Sequence, residues 1–93
     1  MNALTPQQKE DLRLAIIEVL AVRYPSAFPP LGITRRVIQD KMLDFDPPHA
    51  EVEAALQFLA EKNLVRFIFQ DVGSTKHWSA TADGVQKYER NQL

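Results

Sequence analysis

Two histidines and a handful of cations are the side chains of this sequence most able to do chemistry, and their spacing limits what that chemistry can be. His49 and His77 are the only histidines among 93 residues. They fall in separate segments, and nothing like two histidines four apart occurs, so no metal site is expected. With no cysteine present, neither a thiolate nucleophile nor a disulfide framework is available. Ser26, Ser74 and Ser79 lack the glycine-flanked elbow of a nucleophile, and the carboxylates scatter over helix faces instead of converging. No catalytic residue and no cofactor is assigned, and the expectation is a binding protein and not an enzyme. Arg35 and Arg36 are adjacent, so on a helix they point about 100° apart and cannot both be buried. They form either a solvated face or a contact with phosphate or an acidic partner. Arg66, Lys76 and His77 lie on a predicted hairpin, where charge either meets a ligand or protects an edge strand from aggregation.

The elements that must position these residues follow from local signals. Thr5, Pro6 and Gln8 read as an N-cap, a first-turn proline and a capping-box partner. Leu12, Ile16, Val19 and Leu20 then recur at helical spacing, and Pro25 sets the end of the first helix near Tyr24 at the latest. Pro25 to Gly32 reads as a stiff loop whose Phe28 packs onto a helix. Thr34 is expected to cap a short second helix with Val37, Ile38 and Met42 buried. Asp46, as cap before Pro47 and Pro48, starts a third helix that runs to about Lys62. On it Val52, Ala55, Leu56 and Leu59 face inward, and Ala50, Ala54, Gln57 and Glu61 face outward. Asn63 is a C-terminal stop. Leu64 to Gln70 and Thr75 to Ala80 read as strands joined by a turn at Asp71 to Ser74, with Trp78 pointing into the core. Phe67 and Phe69 share one strand face and Ile68 the other. Thr81 caps a last helix with Val85 and Tyr88 inward.

Three segments in this order resemble the winged-helix family of helix-turn-helix domains. The first is the helix pair that ends in Leu-Ala-Glu-Lys-Asn-Leu-Val at positions 59 to 65. The second is the hairpin. The third is Trp78-Ser79-Ala80-Thr81-Ala82-Asp83-Gly84, similar to the family's step from wing into last helix. The link from Leu43 to Asp46, with two prolines following, is a little longer than the usual three- to four-residue turn. The resemblance implies an α+β, mostly α fold: a three-helix bundle with a β-hairpin wing and a short C-terminal helix. It also implies a small bacterial regulator that binds double-stranded DNA. Helix three would lie in the major groove with His49, Ala50, Glu53, Ala54, Gln57 and Glu61 toward the bases. Arg35 and Arg36 would clamp phosphate, and Arg66, Lys76 and His77 would contact DNA from the wing.

Charge argues on both sides. With 45% apolar and 25% charged residues the composition is that of an ordinary globular domain, so one domain over 1–93 is expected. The net charge of -1 gives no global attraction to phosphate or to a membrane surface, so DNA would be held by local patches. From Asp44 through Glu61 there are five acids and no lysine or arginine. Acids in the first turns complement the helix dipole, but they also repel a polyanion. Gln57 is the one base reader on that helix. Three or four phosphate contacts, drawn from the wing, Arg35, Arg36 and Lys41, would give a log-log salt slope of roughly -3 to -4. The second reading is a protein-interaction module that uses the alanine-rich face of helix three, Phe28 or the apolar wing. A homodimer would use the first helix, the Pro25 to Gly32 loop or the wing. No segment reads as a signal or a membrane span, so a cytoplasmic location is expected.

Overall fold

Local chemistry starts each element of the chain, of which the computed structural model describes residues 4–40, 42–69 and 75–92. The order is α1 (Pro6–Val22), α2 (Pro30–Gln39), α3 (His49–Glu61), β1 (Val65–Phe69), β2 (Lys76–Ala80) and α4 (Ala82–Glu89). Thr5 caps α1 as its sequence predicts. Its hydroxyl accepts from the Gln8 N–H at 3.1 Å and the Gln8 side chain accepts from the Thr5 N–H at 3.0 Å, which closes the capping box. Asn63 takes a φ of 65°, the left-handed turn that ends α3, and Thr81 caps α4 by accepting from the Gly84 N–H at 2.9 Å.

Two helix starts differ from the sequence reading, and both differences trace to proline pairs. α2 begins at Pro30 and not at Thr34, whose hydroxyl donates to the Pro30 carbonyl at 3.0 Å from inside the helix. Pro29 is the N-cap and Pro30 the first helical residue, where a missing N–H is no loss. The earlier start resets the buried face: Ile33 and Val37 are 0% and 1% exposed, whereas Ile38 is 48% exposed and not in the core. At α3 the cap is Pro48, not Asp46, and the helix opens at His49. A residue before proline is disfavoured in the helical region, which keeps Pro47 out of the helix, and Pro48 itself is extended with φ -63° and ψ 147°. The link between the helices therefore extends from residue 40 to residue 48. Lys41 and the turn at 71–74 lie outside the described residues, as does Gln70.

The core forms around α1, which contacts α2, α3, α4 and β2. Leu12, Ile16 and Leu20 meet Ile33, Val52, Leu56 and Trp78 in one cluster, with Phe28, Met42, Val85 and Tyr88 packed at its edge. β1 and β2 pair antiparallel with Phe67 opposite Trp78 and Ile68 opposite His77. Phe28 adds a single bridge to the outer side of β2, exchanging hydrogen bonds of 2.9 and 2.8 Å with Trp78. That bridge anchors the segment before α2 against the wing. Among the described residues no helix is long and apolar enough to cross a membrane.

Candidate nucleic-acid interface

The start of α2, the outer face of α3 and the first residues of β2 enclose an open groove of about 590 Å³. Helical spacing brings His49, Glu53, Ala54 and Gln57 to one wall, Pro29, Pro30 and Leu31 form the second, and Thr75 and Lys76 the third, with Trp78 beneath. Of the residues singled out from the sequence as DNA contacts, His49, Glu53, Ala54, Gln57 and Lys76 line this groove. Gln57 offers both a donor and an acceptor, the pair needed at an adenine edge. Lys76 holds its ammonium 4.6 Å from the Phe67 ring centroid, and Phe67 in turn tilts against Trp78 at 5.3 Å. The cation is thus carried on an aromatic support that runs into the core.

The remaining cations stand outside the groove. Cross-strand partners share a sheet face, so the pairs Arg66 with Ser79 and Ile68 with His77 lie on the face opposite Lys76 and Trp78. Arg66 is exposed there, and His77 contacts the Thr75 carbonyl through Nδ1 at 3.2 Å. Arg36 is half-buried: its Nη1 donates to the Gly32 carbonyl at 3.0 Å and its guanidinium stacks 4.1 Å over the Phe28 ring. Arg35 is exposed and has no ion-pair partner among the described residues. Glu53 sits 3.4 Å from the His49 imidazole one turn earlier. Among the described residues no group of acids and histidines could hold a metal ion.

Sequence reasoning placed Arg66, Lys76 and His77 together because they are neighbours on a hairpin, and strand parity separates them. It missed Leu31, 64% exposed at the groove, because the helix start was set too late. The Pro29-Pro30 pair was the available signal.

Three helices, a two-stranded wing whose β1 packs on α3 and whose β2 packs on α1 and α2, and a short final helix define this as a winged-helix domain. Solved structures share that arrangement at low identity. A transcriptional regulator from Clostridium thermocellum superposes with a TM-score of 0.71 at 12% identity, over 96% of this chain and 84% of that one. Bacillus subtilis PadR in complex with operator DNA gives 0.69 at 18% identity, over 88% of this chain and 47% of PadR, so this chain spans about half its length. A PadR family transcription regulator from Clostridium difficile gives 0.70 at 18%, over 87% and 82%. No family model and no curated protein sequence matches the chain. Likeness at such identity establishes the fold and leaves function to the site.

Proposed function

We propose that this chain is a DNA-binding winged-helix protein of the transcription-regulator type, working as a homodimer in the cytoplasm without enzymatic activity. The observation that carries the reading is the convergence of Gln57 and Lys76 on one open groove beside the exposed wall of α3. A similar fold seen with operator DNA supports it. Gln57 reads a base edge, Lys76 meets phosphate, and the exposed Arg35 of α2 adds a further backbone contact, whereas Arg66 and His77 lie on the other face of the wing and stay outside this contact. Arg36 serves mainly to hold Phe28 and the wing in place while keeping its charge near that surface.

The test is a fluorescence-anisotropy titration with random duplex DNA at low and moderate salt. Saturable binding with a log-log salt slope of about -3, reduced by about one in Lys76→Ala, supports the proposal. Absence of binding at low salt overturns it. A second reading, a protein-interaction module without DNA affinity, is favoured by one feature: the groove wall is acidic at Glu53 and apolar at Leu31 and Ala54. Such a protein would fail the titration and would be recognised by cross-linking to a partner through this same wall.

A further inference from the structure

A second cleft, of about 390 Å³, opens between α1, the end of α3 and α4. At about 100° per residue, Phe58 and Leu59 of α3 and its C-cap Lys62 lie on the opposite side of that helix from His49, Glu53 and Gln57. The two sites share no lining residue. Leu14, Ile17, Leu59 and Leu64 give the cleft an apolar floor, and its charged rim holds Arg13, Lys62 and Lys87 against a single carboxylate, Glu10.

Three observations point the same way. The Arg13 guanidinium lies 3.8 Å over the Phe58 ring and the Lys62 ammonium stands 5.6 Å from it, so one aromatic ring draws two cations together. Arg13 Nε is buried and has no hydrogen-bond partner among the described residues. Lys87 is paired with Asp83 at 3.5 Å, whereas among the described residues no ion pair reaches Arg13 or Lys62. That N–H is closed off by packing on Phe58 and cannot itself take a ligand, but it shows a guanidinium held by stacking and not by an acceptor, which leaves its outer N–H groups for a carboxylate or similar oxyanion. The apolar floor excludes a ligand that is charge alone, and a cleft of this size falls in the range of small-molecule sites.

We infer that this cleft binds a small amphipathic carboxylate. The head group accepts from Arg13 and Lys62 at the Phe58 edge, and the apolar body lies on Leu14, Ile17 and Leu59. The site stands whether or not the opposite groove binds DNA.

Octanoate is the probe, with 1-octanol as the same body without charge and acetate as the charge without body. Isothermal titration of the full chain should show saturable octanoate binding at least about tenfold tighter than either control. Amide shifts on titration should centre on Arg13, Phe58 and Lys62. Arg13→Gln and Lys62→Gln, both fold-checked by circular dichroism, should each weaken octanoate roughly tenfold, with Lys9→Gln on the same helix within about twofold of the parent. The proposal is overturned if octanoate fails to bind or 1-octanol binds equally well. It is equally overturned if Arg13→Gln leaves the affinity unchanged or the shifts map to the groove beside Gln57.

Discussion

Replacing Gly84 by alanine sets two effects of opposite sign against each other, and the structure decides between them. Gly84 is buried in the first turn of α4, where alanine would normally gain about 1 kcal/mol of helix propensity. A methyl group at Gly84, however, would stand 3.0 Å from the Leu64 carbonyl carbon and 3.2 Å from its Cα, and nearer still to the carbonyl oxygen. That oxygen is held in place by the Thr81 N–H at 3.0 Å, so neither side can retreat without moving backbone. Overpacking of this kind costs about 3 kcal/mol at the upper end of its usual range, which leaves a net loss of about 2 kcal/mol. For a domain of this size the melting temperature should fall by about 8–16 °C, read by far-UV circular dichroism. Gly32→Ala is the built-in control. Its methyl would meet the Arg36 Nη1 and the Pro29 ring at 3.4 Å, an ordinary contact, so the melting temperature should rise by a few degrees for a gain of about 0.5–1 kcal/mol. If Gly84→Ala melts at or above the parent temperature, α4 does not rest on the Leu64 carbonyl and the packing argument fails.

Thr81→Ala removes both the cap to Gly84 and the 2.7 Å bond to the Asn63 carbonyl, so urea denaturation should show a loss of about 1–2 kcal/mol with an unchanged m-value. A loss below about 0.3 kcal/mol would show that the cap is dispensable. Partial burial, and then the neighbouring Glu18 carboxylate, raise the Tyr88 phenol above its ordinary 10.0. Its folded-state value being the higher one, the stability linked to neutral Tyr88 is present below about pH 10 and is lost as pH rises through the raised value. Tyr88→Phe should flatten that alkaline decline in a pH-melting series, and an identical decline in both proteins would remove Tyr88 as its source. If the groove binds DNA, Glu53→Gln removes one repulsive charge, worth about 0.6 kcal/mol at about 7 Å in a water-like medium. Affinity in the anisotropy assay should then rise roughly threefold, and an unchanged or weaker affinity would mean that Glu53 does not face the backbone.

Much of the fold was legible because its signals are local. The capping box at Thr5, the left-handed stop at Asn63 and the cap at Thr81 each depend on residues within a turn of one another, and all three form as their spacing predicts. The inward places of Leu12, Ile16, Val52, Leu56 and Trp78 follow equally from helical and strand periodicity. Proline pairs were the weak point. Pro29-Pro30 is compatible with a loop or with a helix start, and the helix start wins through tertiary contact: Phe28 bridges to Trp78 while Ile33 and Val37 enter the core.

Sequence alone therefore determined the element types, their order and the bulk of the core, since each is written in the identity of neighbours three or four residues apart. Only the tertiary structure decided which functional side chains share a surface. Gln57 and Lys76 meet across the groove although nineteen residues separate them, whereas Lys76 and His77 part at once because successive strand side chains point to opposite faces. Arg36 is drawn to Phe28 and Arg13 to Phe58 by packing that no local pattern contains. The physical reason is range: caps and periodicity act within a turn, but a binding surface is assembled where separate elements pack, and that geometry exists only once the core has closed.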